Sequence, residues 1–95
     1  MATKRVWQDV SFHPGKTLAE ELAARGMTTA ELAEKIGRPV GAVDEIVREQ
    51  APITASTAWD LEDALGIDAV FWMNMQTSYD LNVERLRRTA AAATA

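Results

Sequence analysis

Two arginines, Arg38 and Arg48, flank a short predicted helix that follows a glycine turn. Arginine donates paired hydrogen bonds to guanine or to phosphate oxygens, and a short helix placed in this way is typical of proteins that bind double-stranded DNA. The start of the preceding helix offers backbone N–H groups that can hold a phosphate. The residues that we predict to bind DNA are Thr28, Thr29, Arg38, Pro39, Val40, Gly41, Asp44 and Arg48.

Side chains suited to catalysis or metal binding are sparse. His13 is the only histidine and cysteine is absent, so a disulfide framework, a thiolate metal site and a Ser-His-Asp triad are not indicated. Glu31 and Glu34 lack the His-Glu-x-x-His setting of a zinc protease. We therefore expect a protein that is not an enzyme, with no catalytic residue, metal, cofactor or small-molecule substrate. We expect His13 to be satisfied by local hydrogen bonds.

Five helices are predicted from capping residues, glycines and apolar spacing. Their starts are marked by Thr17, Thr28, Pro39, Thr54 and Asp68. Glycine ends three of them as a C-terminal cap, at Gly26, Gly37 and Gly66. The turn at Gly37 makes the second and third helices a helix-turn-helix, the motif that inserts its second helix into the DNA major groove. Apolar residues at helical spacing are predicted to face inward: Leu18, Leu22, Leu32, Ile36, Val43, Ile46, Ala58, Leu61, Leu65, Phe71, Trp72 and Met75.

The chain is long enough for one domain with a short segment on either side. Because Pro14-Gly15 is predicted to stop a helix, residues 1–12 are interpreted as an arm whose Trp7 docks on the core or holds a partner. Residues 13–88 form the helical domain, and the alanine-rich residues 89–95 are expected to be frayed or disordered. Since neither a signal peptide nor a membrane-spanning apolar run is found, we expect a cytoplasmic protein without membrane contact.

The charge of the predicted helix-turn-helix is unusual for a DNA-binding protein. The net charge of the chain is −4. Between Thr28 and Gln50 three basic residues stand against five acidic ones, whereas other basic residues cluster near the two ends. DNA affinity depends strongly on phosphate contacts by lysine and arginine. Asp44 and Glu45 are interpreted as a solvated face, since a carboxylate in the groove accepts a hydrogen bond only from cytosine N4.

A dimer is indicated by the small size of the chain and by an exposed aromatic residue. A chain of this length buries only about 60–65% of its unfolded surface, so association would add stability. Trp59 lies beside the inward face of its helix, and an exposed tryptophan in a small domain is a candidate hot spot. We predict that Trp59, Tyr79 and Leu81 lie in the dimer interface.

Residues 13–81 resemble the HigA/VapI-type antitoxins of toxin–antitoxin systems, in the Xre (lambda-repressor-like) helix-turn-helix family. The opening His13-Pro14-Gly15, combined with the Phe-Trp-x-Asn-x-Gln block at 71–76 and Tyr79 three residues later, is the most specific part of the match. The other stretches that carry the resemblance are Leu32-Ala33, Ile36-Gly37, Arg38-Pro39-Val40, Glu45-Ile46-Val47, Ile53-Thr54 and Ala64-Leu65-Gly66.

The resemblance implies both a fold and a function. The fold is all-α, a five-helix lambda-repressor-like helix-turn-helix domain with flexible N- and C-terminal tails. The function is that of a type II antitoxin, which neutralises a RelE-like (HigB-type) ribonuclease toxin and represses its own operon as a homodimer on operator DNA. The recognition helix corresponds to Pro39–Arg48, where this chain has Val40, Gly41, Ala42 and Asp44 in place of the arginine, glutamine, threonine or serine of several relatives.

Two alternatives remain open at the level of the sequence. The acidic third helix favours a module that only sequesters a toxin and has weak or lost DNA binding. An orphan Xre-family transcriptional regulator would have the same fold and would bind DNA, but its gene would have no toxin gene beside it.

Overall fold

The computed structural model of the chain describes residues 12–94, which form five α-helices and contain no strand. The helices are α1 (Pro14–Arg25), α2 (Thr29–Ile36), α3 (Val40–Val47), α4 (Ala55–Leu65) and α5 (Ala69–Thr94). The prediction of an all-α, five-helix fold is confirmed. The predicted N-terminal arm, with Trp7, lies outside the described residues except for Phe12, whose side chain is exposed.

The core lies where α1, α2 and α3 meet α4 and α5. α2 packs on α3 and α4, α3 also packs on α1, and α5 packs on α4 and α1. Trp72 is the largest fully buried side chain, and Leu18, Leu32 and Leu61 are buried beside it. Phe71 was expected to cover the same core, but it is 45% exposed. The reason is its place on the helix, because Phe71 lies about 100° around α5 from Trp72.

Helix α1 begins four residues earlier than predicted, at Pro14, because its N-cap is His13 rather than Thr17. The N-cap is His13, whose Nδ1 accepts a hydrogen bond of 2.9 Å from the backbone N–H of Gly15. Proline suits the first helical position because its missing N–H is not needed there. Pro14-Gly15 therefore starts a helix rather than stopping one. The expectation that His13 is satisfied locally is confirmed.

Most of the other helix ends agree with the prediction. Thr28 and Glu31 form a complete capping box, and Thr54 caps α4 by accepting from the N–H of Thr57. The three glycines predicted as C-terminal caps all have a left-handed backbone conformation. Pro39 was predicted as the first helical residue of α3. It is instead the N-cap, and the helix begins one residue later at Val40.

The alanine-rich tail is the second difference from the prediction. Helix α5 continues through Thr94, whereas fraying was expected from Thr89. A short alanine run is marginal as an isolated helix because nucleation is costly. Here the nucleus already exists in the packed part of α5, so each added alanine only propagates the helix.

Candidate nucleic-acid interface

Helix α3 presents one face to the core and the opposite face to solvent. Val43 and Ile46 are buried, whereas Val40, Gly41 and Glu45 are exposed. This division follows from apolar residues spaced three apart on a helix of 3.6 residues per turn. The exposed face of α3 therefore consists of small apolar groups at its start and charged groups toward its end.

The C-terminal end of α3 lies in close contact with the start of α1. A Cβ atom built on Gly15 would lie 1.8 Å from the carbonyl oxygen of Ile46, so only glycine fits there. The loop after α3 is held as well, because the side-chain Oε1 of Gln76 accepts a hydrogen bond of 2.8 Å from the N–H of Ile53. Gln76 is buried in α5 and its Nε2 donates to Asp80. These contacts fix the C-terminal end of α3 relative to α1 and α5.

The start of α2 supplies a candidate phosphate site at Thr28 and Thr29. The Thr28 side chain accepts from the N–H of Glu31 at 3.0 Å, and the Glu31 carboxylate accepts from the N–H of Thr28 at 2.8 Å. The remaining first-turn N–H groups of a helix have no partner within the helix. Thr28 is exposed and Thr29 is half-buried, so this end of α2 is accessible.

The two predicted DNA-binding arginines have different environments. Arg38 donates through Nε to the Asp60 carboxylate at 2.8 Å and through Nη2 to the Ser56 hydroxyl at 2.8 Å. Arg48 is the C-cap of α3 and is exposed, and its side chain has no hydrogen bond or ion pair within residues 12–94. Of these two arginines, the guanidinium of Arg48 has no partner within residues 12–94, while that of Arg38 is bound to α4.

Asp60 and Ser56 were not singled out by sequence reasoning. They lie 22 and 18 positions after Arg38, and no local spacing rule joins residues so far apart. The only sequence signal is a threonine-capped helix with an acidic residue one turn inside it, which is a common pattern. The carboxylates predicted to form a solvated face have different exposure, because Glu45 is exposed whereas Asp44 is half-buried.

The three residues predicted for the dimer interface differ in how exposed their side chains are. Trp59 on α4 and Leu81 on α5 are each 60% exposed, which leaves both free for association. Tyr79 is half-buried, with its ring edge-on to His13 at a centroid distance of 5.0 Å. Tyr79 therefore contributes to packing inside the protomer as well as to the surface.

The basic cluster near the C-terminus is partly paired within α5. Glu84 accepts hydrogen bonds from Arg87 and Arg88, and these contacts lower the pKa of its carboxyl group.

Among residues 12–94 no group of acidic or histidine side chains is arranged to hold a metal ion. No helix in that range is long and apolar enough to cross a membrane.

Comparison with known proteins places this arrangement in a family. The helix-turn-helix family HTH_3 matches residues 18–72. Virulence-associated protein I of Dichelobacter nodosus is 45% identical over 74 residues, which cover 77% of this chain and 68% of that protein. The chain belongs to the helix-turn-helix family, within its group of HigA/VapI-type antitoxins.

Solved structures of HigA proteins have the same fold. An addiction module antidote protein of the HigA family from Coxiella burnetii matches with a TM-score of 0.80 at 32% identity, covering 88% of this chain and 92% of that one. The Pseudomonas aeruginosa antitoxin HigA, solved with the higBA promoter, matches with a TM-score of 0.81 at 32% identity, covering 86% and 90%.

Proposed function

We propose that this chain is the antitoxin of a type II toxin–antitoxin module and represses its own operon by inserting α3 into the major groove of operator DNA. The observation that carries the proposal is the outward face of α3, where Val40 and Gly41 are exposed at its start and Arg48, whose side chain has no partner within residues 12–94, is exposed at its end. A relative with the same fold was solved with its promoter, which supports this use of the motif.

In the proposed interface, different residues contact the bases and the phosphates. Val40 and Gly41 are small enough for α3 to lie close to base edges, where apolar groups contact thymine methyl groups. Arg48 and the start of α2 at Thr28 and Thr29 contact phosphates on either side of the groove. The proposed DNA-facing set is Thr28, Thr29, Pro39, Val40, Gly41, Asp44 and Arg48, with Arg38 at its edge.

We propose that the protein binds the operator as a homodimer through Trp59, Tyr79 and Leu81. Two copies of α3 then enter successive major grooves on one side of the duplex. Half-sites of a palindromic operator are expected about one helical turn apart, roughly 34 Å. The toxin partner is a RelE-like ribonuclease, and an RNA-binding protein of that kind is basic, so the net charge of −4 favours its capture.

The direct experiment is a titration of the protein with the duplex upstream of its own gene, at low and at physiological salt, with a scrambled duplex as control. We expect saturable binding to the upstream duplex that weakens with salt and exceeds binding to the scrambled duplex at least tenfold. Arg48→Ala is expected to reduce the slope of log affinity against log salt by about 0.9, the value for one phosphate contact. Equal binding to both duplexes would contradict the repressor function.

A second candidate function is toxin sequestration without DNA binding. It is favoured by the carboxylates that lie on and just after α3, Asp44, Glu45 and Glu49, because they repel phosphate. In that case the upstream duplex gives no selective binding even at low salt, whereas the toxin encoded beside this gene is bound tightly and inhibited. Co-purification measures the binding of the toxin, and a ribonuclease assay measures its inhibition.

A further inference from the structure

Arg38 is held on α4 by two different side chains. Its Nη2 lies 2.7 Å from Oδ2 of Asp60 and also donates to Oγ of Ser56, while its Nε donates to the same carboxylate oxygen. The side chains of Arg38 and Asp60 are 30% and 32% exposed, so the pair is partly shielded from water. A guanidinium with its planar donors used in this way is not free to turn toward a phosphate without breaking these bonds.

The N-terminal end of α3 is restrained on the side of α2, where the N–H of Arg38 donates to the carbonyl oxygen of Ala33 at 3.0 Å, but it has no side-chain cap. Pro39 is its N-cap and makes no side-chain capping bond. The helix has only eight residues, which is too short to be stable without tertiary contacts. Its packing partners are α1 and α2, and its first two residues, Val40 and Gly41, are exposed. Arg38 immediately precedes Pro39, so its bonds to Asp60 and Ser56 tie the start of α3 to α4.

We propose that Arg38, Asp60 and Ser56 form a clamp that positions the N-terminal end of α3 for insertion into DNA. Arg38 is then a positioning residue rather than a DNA contact, which differs from the role predicted from the sequence. The clamp has a second effect, because the guanidinium neutralises a carboxylate beside the DNA-facing surface. This inference rests on the proposed function, since it concerns how α3 meets the operator.

The test is a double-mutant cycle on operator affinity with Arg38→Ala, Asp60→Ala and the double variant, at a temperature where all are fully folded by circular dichroism. Both single variants are expected to bind about three- to tenfold more weakly, and the double variant no more weakly than either, because one interaction is removed in each. The slope of log affinity against log salt stays at the wild-type value. Arg38→Lys behaves like Arg38→Ala, since one ammonium cannot reproduce the fork to two partners.

A phosphate contact by Arg38 gives the opposite pattern. Arg38→Ala then reduces the salt slope by about 0.9, Arg38→Lys keeps most of the affinity, and Asp60→Ala strengthens binding by releasing the guanidinium. That result overturns the clamp. Wild-type affinity in the fully folded single variants also overturns it, because the bonds would then serve stability alone.

Two matched controls complete the design. Arg48→Ala removes a cation that has no partner among residues 12–94, so it reduces the salt slope and leaves the urea midpoint unchanged. The exposed pair Lys16–Glu20, at 3.0 Å, gives no measurable coupling in a urea cycle, whereas Arg38–Asp60 does. If the wild-type protein fails to bind the operator, the proposed function fails and with it the role of the clamp on DNA. The urea cycle then still shows whether the two side chains are coupled.

Discussion

The two ends of α3 differ in how firmly the rest of the molecule holds them. At the C-terminal end the backbone of Ile46 touches Gly15 of α1, and the loop beyond is bonded to the buried Gln76. At the N-terminal end Pro39 caps without a side-chain bond and Gly41 is exposed, and the tie to α4 is made by the side chain of Arg38 rather than by close backbone contact. Close backbone contact therefore anchors the C-terminal end of α3, whereas the N-terminal end stays accessible.

This difference separates the residues of α3 that hold the helix in the fold from the residues that are accessible to a partner. Close backbone contact of the kind made by Gly15 and Ile46 tolerates no added atom, because the interior is packed at near-crystalline density. An exposed helix start tolerates substitution, so its residues can change with little effect on folding, and they are the residues that we propose to contact DNA. Substitutions at the two ends should accordingly change different measurements, stability at one end and DNA affinity at the other.

The largest effect is expected for Gly15→Ala at the anchored end. The added Cβ would lie 1.8 Å from the Ile46 carbonyl oxygen, and a backbone atom cannot move aside as a flexible side chain would. We expect the free energy of unfolding to fall by about 3 kcal/mol, at the upper end of overpacking costs. Urea denaturation measures the change. A loss below about 0.5 kcal/mol, as for an ordinary surface site, would contradict the close α1–α3 contact.

The next effect is expected on DNA affinity, from the double variant Asp44→Asn, Glu45→Gln. Removing two negative charges from α3, the helix that we propose faces DNA, should strengthen binding to any duplex by about three- to tenfold at low salt, and less at high salt. Because Glu45 is exposed and Asp44 half-buried, Glu45→Gln alone should account for most of the change. The urea midpoint serves as the control and should not move. Unchanged affinity would mean that both carboxylates point away from DNA.

Gly41→Ala is the matched counterpart of Gly15→Ala at the open end. Apart from the adjoining residues and the backbone of α3 itself, no atom of residues 12–94 lies within 4 Å of a Cβ added to Gly41, so the methyl group fits in the free protein. The higher helix propensity of alanine should raise the free energy of unfolding by roughly 0.5 kcal/mol. If the backbone of α3 approaches DNA at this point, operator affinity falls although stability rises. A gain in both would remove Gly41 from the interface.

Sequence patterns predicted the parts of this molecule that depend on neighbours along the chain. The capping box of Thr28 and Glu31, the three glycine caps and the buried stripe of α3 all follow from spacings of three or four residues. The start of α1 was missed because His13 is not among the usual capping residues, although its Nδ1 accepts the same hydrogen bond.

The candidate site was less predictable than the fold. Arg38 was read from its position beside α3, but its environment is set by Asp60, which comes 22 residues later and meets it only after α2 and α4 pack. The same holds for Gly15, whose need for glycine comes from a carbonyl of α3 rather than from a turn. Long-range contacts of this kind decide which arginine is free, and one sequence does not reveal them.

The smallest effect concerns the turn that leaves the anchored end of α3. Glu49 has a left-handed backbone with φ of 64°, a conformation that favours glycine. The backbone bonds around it, from Glu49 N to Ile46 O at 2.9 Å and from Gln50 N to Glu45 O at 2.7 Å, show that the turn is well formed despite this strain. Glu49→Gly should therefore raise the free energy of unfolding by about 0.5 kcal/mol, since the relief of the left-handed strain exceeds the added flexibility of the unfolded chain.

Glu49→Ala is the control, because it removes the charge and keeps the Cβ, and so separates the effect of the charge from that of the backbone. It should leave stability nearly unchanged and strengthen DNA binding as much as the glycine variant does. A glycine variant less stable than the alanine variant would show that the left-handed backbone at Glu49 is not strained.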